Sequence, residues 1–354
     1  MEATIAMNEK DRDRLMREVM AETAEKERGR LLTIASKTAP KRVAFVDWVI
    51  LVPILSKIGI VNLRNRTDRI RDARWSYKAD KNGRIMELRI GGVRDLDPFD
   101  VPAGIVRLER LKLFSVTNCL SIPVELSSLS HLKELHLLES DEELLNDFPL
   151  QMVLSHLTRL EVSDCRLQSS SPFLIWMTRQ LPRLEIFGFM SMGKEEANYI
   201  LDSFRNSENV CFKENLKRFD MQSCRLDDKC LETLLLDILP KVPNVSSLDL
   251  EGNNIKSVRA IIDRIKSDET CFVSKSIRCL KIEHNPILEK MEDNPKEKAS
   301  ILSFLRTFNT IFKLFDGHLQ DEEGNSFDSD VEYALRINHA GRSIVEGNYV
   351  GTKK

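Results

Sequence analysis

Apolar residues recur through the middle of the chain in a fixed short pattern. In the complete pattern, an apolar residue is followed by two more at the third and fifth positions after it, and by Asn or Cys at the eighth. Four segments show the complete pattern: LTRLEVSDC from Leu157, LKRFDMQSC from Leu216, VSSLDLEGN from Val245 and IRCLKIEHN from Ile277. Four others keep the apolar positions and begin at residues 85, 108, 132 and 181. This spacing predicts one short strand per repeat, with the apolar side chains stacked in a shared core.

The pattern resembles the leucine-rich repeat, and the resemblance covers roughly residues 85–317. The later repeats resemble the ribonuclease-inhibitor type, because the segments between their strands, such as DKCLETLLLDIL and SVRAIIDRI, are apolar on one helical face. The resemblance implies an α/β solenoid: a leucine-rich-repeat horseshoe with a concave parallel sheet, a helical N-terminal cap and a C-terminal capping helix. We expect strands near residues 87–90, 110–113, 134–137, 159–162, 183–186, 218–221, 247–250 and 279–282.

The ends of the chain predict capping regions around the repeats. We divide the sequence into a charged, helical or partly disordered segment (1–32), a helical N-terminal cap (33–84), the solenoid (85–317), and an acidic loop with a C-terminal helix (318–354). The stretch DVEYALRINHAGRSIVEGN in the last region resembles the tails of uncharacterised leucine-rich-repeat proteins of unicellular algae, which implies nothing about activity.

The sequence also favours an intracellular, cytoplasmic protein. The charged N-terminus lacks the apolar core of a secretory signal, and the seven Cys residues include no CxxC pair. The apolar stretch 43–63 is interrupted by Asp47, Pro53 and Lys57, which favours a buried capping helix over a membrane span. We therefore expect no stable membrane insertion.

Charge and composition argue against several classes of function. The 53 basic and 55 acidic residues nearly cancel, so no global field attracts nucleic acid or an anionic membrane. None of the six His residues lies in a metalloprotease motif or a zinc-binding spacing, and the sequence has no Gly-rich phosphate loop. Cys165 and Cys224 occupy the Asn position of their repeats and are predicted to be structural. We therefore expect no catalytic residues, no cofactor and no bound metal.

The concave face is the candidate binding site. The residues on either side of the middle apolar position of each strand point to solvent. In the expected register they form two neighbouring columns, with arginines beside carboxylates: Arg159, Arg183 and Arg218 next to Glu161, Glu185 and Asp220. Leu138 and Phe187 fall at the edge of this face as candidate apolar anchors. Two interpretations remain open: a ladder of surface ion pairs that each contribute little, or a recognition surface in which arginine anchors a partner.

The favoured function is a non-catalytic protein–protein interaction scaffold or adaptor that binds a protein of unknown identity on the concave face. One alternative is a regulator of a small GTPase, because the later repeats resemble in type those of the Ran GTPase-activating proteins, although the loop Arg and Asn residues of that family find no match here. A second alternative is a peripheral membrane or RNA adaptor acting through the basic run 57–84, where nine basic residues accompany three acidic ones. The competing interpretation of that run is a charged cap face. The carboxylate column disfavours nucleic acid as a ligand of the concave face.

Overall fold

The computed structural model describes residues 43–57, 75–91, 98–140, 142–268, 275–311, 314 and 329–345. The predicted segment 1–32, the part of the basic run at 58–74 and the acidic loop at 318–328 lie outside the described residues. The described residues fall in two compact units. Unit 1 takes in Met1–Leu157 and Ser170–Trp176, and unit 2 takes in Thr158–Ser169 and Met177–Lys354.

Unit 1 contains the cap and the first repeats. Its elements are helix α1 (Phe45–Lys57), strands β1 (Trp75–Ala79), β2 (Ile85–Ile90), β3 (Phe99–Asp100), β4 (Leu113–Thr117), β5 (Cys119–Ser121) and β6 (Glu134–Leu138), and helix α2 (Glu142–Asn146). Strands β2, β4 and β6 pair in parallel, whereas β1 is an antiparallel edge strand beside β2. Strands β3 and β5 form a separate two-stranded parallel sheet. Short 3-10 helices return the chain between strands at Ala103–Arg107 and Val124–Ser128.

The cap is part helix and part strand. Helix α1 is helical as predicted and carries Asp47, whose carboxylate accepts hydrogen bonds from Arg84 Nε at 2.8 Å and from the backbone N–H of Ile85 at 2.6 Å. This buried carboxylate therefore ties the cap to the start of the first repeat strand. The prediction of an entirely helical cap over 33–84 is wrong at Trp75–Ala79, which forms β1.

A tight turn explains why β1 is a strand. The turn between β1 and β2 is closed by a hydrogen bond from the Gly83 N–H to the Asp80 carbonyl. Gly83 has φ 76°, in the left-handed region that glycine tolerates best. On β1 itself, alternate residues Trp75 and Tyr77 share one side and lie within 6.3 Å of the ring of Trp48. The Asn82-Gly83 pair is a hairpin signal in the sequence, and here it outweighs the helical interpretation.

Unit 2 contains five parallel strands in chain order. These are β7 (Arg159–Ser163), β8 (Ile186–Met190), β9 (Arg218–Asp220), β10 (Ser247–Asp249) and β11 (Cys279–Lys281). Helix α3 (Pro172–Arg179) passes from unit 1 into unit 2. The other helices are α4 (Lys194–Asn206), α5 (Asp228–Thr233), α6 (Arg259–Ser267), α7 (Pro286–Asp293), α8 (Pro295–Thr307) and α9 (Ser329–Val345). Helix α5 continues as a π-helical turn at Leu234–Ile238 and a 3-10 turn at Leu239–Lys241.

Six of the eight predicted strands lie where the repeat pattern placed them, and two are wrong by three residues. The strands predicted at 110–113 and 183–186 are found at Leu113–Thr117 and Ile186–Met190. In both repeats phenylalanine fills a buried strand position that is Leu or Ile in most of the others. Phe114, Phe187 and Phe189 are each completely buried. A shift by an odd number of residues exchanges the two faces of a strand, so every side chain in these two strands points opposite to the prediction.

A ladder of side chains crosses the turns that follow the strands. Asn253 is buried, its amide oxygen accepts hydrogen bonds from the Cys224 and Leu226 N–H groups, and its amide nitrogen donates to the Met221 carbonyl at 2.7 Å. In the preceding repeat the thiol of Cys224 takes the same slot and donates to the Phe189 carbonyl at 3.0 Å. Burial raises the pKa of the Cys224 thiol to about 12. The thiol is therefore a structural hydrogen-bond donor, as predicted.

One residue with positive φ precedes each ladder position. These residues are Asn118, Glu139, Asp164, Ser191, Ser223, Gly252 and His284, with φ between 47° and 69°. A left-handed residue reverses the direction of the chain within one step, and this turns each strand into its return segment. Each of the seven repeats whose turn the structure describes thus combines a parallel strand, a left-handed turn residue and a ladder side chain. These features are those of a leucine-rich repeat, and within each unit the repeats stack in parallel as in an α/β solenoid.

Candidate functional site

The open face of unit 2 is the side of its sheet that points away from the buried core. Strand residues alternate between the two sides of a sheet. The middle residues Leu160, Phe187, Phe219, Leu248 and Leu280 point into the core and are at most 1% exposed. Their neighbours on either side form two rows across the open face, fixed by the strand register. The first row is Arg159, Ile186, Arg218, Ser247 and Cys279, and the second row is Glu161, Gly188, Asp220, Asp249 and Lys281.

Ion pairs connect the two rows. Arg159 donates to Glu161 through both Nε, at 2.7 Å, and Nη2. Arg218 Nε donates to both carboxylate oxygens of Asp220, at 2.7 and 2.8 Å, and its Nη2 lies 3.6 Å from Asp249.

On the far side Asp249 also lies 3.3 Å from the ammonium group of Lys281. Asp249 therefore links the Arg218 pair to Lys281, and the charges of β9, β10 and β11 form one connected network.

The carboxylates of the two rows lie beneath the arginines. The side chains of Arg159 and Arg218 are 36% and 39% exposed. Those of Glu161, Asp220 and Asp249 are 12%, 5% and 0% exposed. Burial raises the pKa of the Asp220 carboxyl above its ordinary value, and the hydrogen bonds from Arg218 oppose that rise. The solvent-facing layer of the open face is therefore guanidinium, although the charges of the two rows cancel.

Gly188 brings the charges of β7 and β9 together across β8. A Cβ atom at this position would lie 3.2 Å from Cγ of Glu161, so the Glu161 side chain occupies the space above Gly188. The positive charge of Arg159 also lowers the pKa of Asp220, two strands away. A larger residue at 188 would separate these groups, so the absence of a side chain here is part of the site.

The structure does not bring all of the predicted site residues together. Arg159, Glu161, Arg218 and Asp220 lie on the open face as expected. Arg183 and Glu185 do not, because the shifted frame of β8 leaves them in the turn before the strand. Arg183 is exposed there, and Glu185 pairs with Lys217 at 2.8 Å. Their predicted place in the two rows is wrong and is taken by Ile186 and Gly188.

The two predicted apolar anchors also have different environments. Phe187 is completely buried, with its ring 5.4 Å from that of Phe219 and 5.9 Å from that of Phe204. Its prediction as a surface anchor is therefore wrong, because it belongs to the core. Leu138 is the last residue of β6 in unit 1, where it is half-buried and in register with Thr117.

Sequence reasoning missed Ile186 and Gly188 as site residues. The alternation Phe187, Gly188, Phe189 was the available signal, since two large apolar residues separated by a glycine are typical of a strand with one buried face. The apolar residues Leu181, Leu184 and Ile186 also fit the repeat spacing and favour the other frame.

In the described part of the basic run, Lys78 and Arg84 form ion pairs. Arg84 pairs with Asp47, and Lys78 pairs with Glu87 at 2.9 Å. The ring of Trp75 stacks on that of Tyr77 at 5.6 Å. Within the described ranges, no group of His, Cys, Asp and Glu side chains is arranged to hold a metal ion. Among these same residues, no helix has the length and apolar character needed to cross a membrane.

Comparison with known proteins gives structural matches only. No protein-family model and no curated protein matches the sequence. The tropomodulin C-terminal domain of Caenorhabditis elegans matches with a TM-score of 0.35 and 13% identity, over 50% of this chain and 96% of that one. A leucine-rich-repeat protein of Bacteroides eggerthii matches with a TM-score of 0.41 and 12% identity, over 68% and 57%. An internalin of Listeria monocytogenes matches with a TM-score of 0.29 and 13% identity, over 53% of each chain. The chain thus spans little more than half the length of the two bacterial proteins.

Proposed function

We propose that this chain is a non-catalytic scaffold that binds a protein partner on the open face of unit 2, which corresponds to the concave face of the predicted solenoid. The observation that carries the proposal is the pair of half-exposed arginines held in place by carboxylates that are more buried than the arginines are. Arg218 is fixed by Asp220 and Asp249, and Arg159 is fixed by Glu161. Long side chains lose conformational freedom when a partner binds, and a preordered arginine avoids most of that loss.

The burial of the carboxylates distinguishes this face from an ordinary charged surface. Exposed ion pairs contribute only about 0–1 kcal/mol to stability and need no buried partner. Burying a carboxylate costs desolvation free energy, which an apolar residue at the same position would not incur. Asp249 is completely buried on the open face, beneath the half-exposed Arg218. A requirement to hold the arginines in fixed positions accounts for this costly arrangement, and arginine is common among residues that dominate protein interfaces.

Site-specific photo-crosslinking tests the proposal. A photoreactive phenylalanine analogue is placed at Ile186, on the open face, and in a second variant at Glu195, which is exposed on α4. Helix α4 packs against the buried side of the sheet, because the ring of its Phe204 lies 5.9 Å from that of Phe187. Irradiation in an extract of the source cells should give a discrete crosslinked protein from position 186 and none of the same mass from position 195. The same product from both positions, or a product from 195 alone, would contradict binding on the open face.

A further inference from the structure

Two arginines flank one aliphatic residue in the first row of the open face. Arg159, Ile186 and Arg218 are register partners on three successive strands. Neighbouring strands are about 4.8 Å apart, so the two arginines stand roughly 10 Å apart with Ile186 midway between them. Ile186 is half-buried and offers an apolar surface at this midpoint.

We propose that the partner segment recognised here is an acidic helix, with carboxylates about seven residues apart and an aliphatic side chain between them. This inference rests on the proposed function and names the chemistry of its ligand. In an α-helix, residues i and i+7 lie on one face about 10.5 Å apart, and residue i+3 or i+4 lies between them. That spacing matches the distance from Arg159 to Arg218. An extended segment places same-face residues about 6.7 or 13 Å apart, and neither value matches.

The different burial of the carboxylates and the arginines determines the sign of the charge that a ligand should carry. A basic segment would have to reach Glu161 and Asp220, whose side chains are 12% and 5% exposed and already hydrogen-bonded to arginine. An acidic segment meets the exposed guanidinium groups first, and guanidinium groups bind carboxylates with favourable geometry. A nucleic acid would also meet the arginines, but Ile186 lies between them and offers a phosphate chain no polar contact.

The adjoining positions leave room for a helix. Beyond Arg218 the first row continues with Ser247 and Cys279, which are both small and half-buried. A helix laid across the strands can therefore continue past Arg218 without meeting a large side chain in this row.

Selection from a random library tests this inference without a known partner. A display library of 16-residue peptides is selected on the full chain, and the retained sequences are compared with the unselected library. The expected enrichment is Asp or Glu at positions i and i+7, with Leu, Ile, Val or Met at i+3 or i+4. Binding of a fluorescent single-stranded RNA is measured in parallel. We expect the RNA to bind only at concentrations far above those at which the selected peptides bind.

Two variants place the selected peptides on the face. The double variant Arg159→Met, Glu161→Met removes both members of one ion pair, so neither charge is left without its partner. It should weaken peptide binding at least tenfold. Ile186→Ala removes part of a half-exposed side chain and should abolish the preference for an aliphatic residue at i+3 or i+4. Arg183→Met, at an exposed position outside the strand, is the matched control and should leave binding unchanged. Thermal unfolding of each variant confirms that it folds.

The outcomes separate this inference from the proposed function. If the selected peptides lack the acidic pattern but no longer bind the double variant, the proposal of an acidic helix is overturned. The open face then remains the binding site. Selected peptides that bind all three variants equally would contradict both. RNA binding at the same concentrations as the peptides, lost in the double variant, would replace the acidic helix by a phosphate ligand.

Discussion

The ladder residue Asn253 provides a quantitative test of the repeat architecture. Its amide oxygen accepts hydrogen bonds from the Cys224 and Leu226 N–H groups, and its amide nitrogen donates to the Met221 and Leu250 carbonyls. Replacement of Asn253 by Ala removes these bonds at a position that is 6% exposed. The substitution should therefore destabilise the repeats on both sides of the turn.

The magnitude follows from the groups that lose their partner. The Leu250 carbonyl keeps a hydrogen bond from Asn285 at 2.8 Å. The two N–H groups and the Met221 carbonyl lose the bond that Asn253 supplied. A buried polar group left unsatisfied costs about 1–3 kcal/mol. We therefore expect Asn253→Ala to lower the free energy of unfolding by at least about 3 kcal/mol.

Urea denaturation followed by far-ultraviolet circular dichroism measures this loss. Asn254→Ala is the matched control, because Asn254 is the next residue, is exposed, and contributes its backbone N–H to the ladder turn. It should change stability by less than about 0.5 kcal/mol. Asn253→Cys should fall between the two, since a thiol can donate one of the lost bonds, as Cys224 does. Equal denaturation midpoints for the two alanine variants would refute the role assigned to the ladder.

Two further predictions concern the open face and the ladder thiol. Gly188→Val should lower the free energy of unfolding by about 1–3 kcal/mol, because the valine side chain displaces Glu161 from the space above the strand, and Gly188→Ala should lower it less. Equal denaturation midpoints for Gly188→Val and the wild-type chain would contradict this close contact. Cys224 should resist iodoacetamide in the native chain at pH 8, because burial raises the pKa of its thiol to about 12, and should react after unfolding in urea. Peptide mapping by mass spectrometry that found Cys224 alkylated in the native chain would contradict that burial.

The fold was predictable wherever the apolar residues of a repeat fit one frame only. The strands that begin at Glu134, Arg159, Arg218, Ser247 and Cys279 were expected from spacing alone, since each repeat has a single frame that satisfies every apolar position. In the repeat of β4 two frames fit, because apolar residues occur at 108, 111, 113, 114 and 116. There Cys119 at the ladder slot marks the correct frame.

The candidate site was only half predictable for the same reason. In the repeat of β8, the ladder slot is Met192, which is neither Asn nor Cys, so residue type alone does not identify the frame. The error replaced Ile186 and Gly188 by Arg183 and Glu185. No local pattern shows that Asp249 is buried beneath Arg218, because that contact joins strands 31 residues apart in sequence, at 218 and 249. Contacts of that kind depend on the stacking of whole repeats.

The left-handed turn residues have a consequence for how the chain tolerates changes in length. Successive ladder residues are 21 positions apart at Cys119 and Ser140 but 29 apart at Cys224 and Asn253. The strand, the turn residue and the ladder slot keep the same spacing in both cases, so the whole difference lies in the return segment. A tag or an epitope inserted in a return segment lengthens one loop of the coil. One added residue between a strand and its ladder slot would instead move the ladder side chain one position away from its hydrogen-bond partners in the neighbouring repeats.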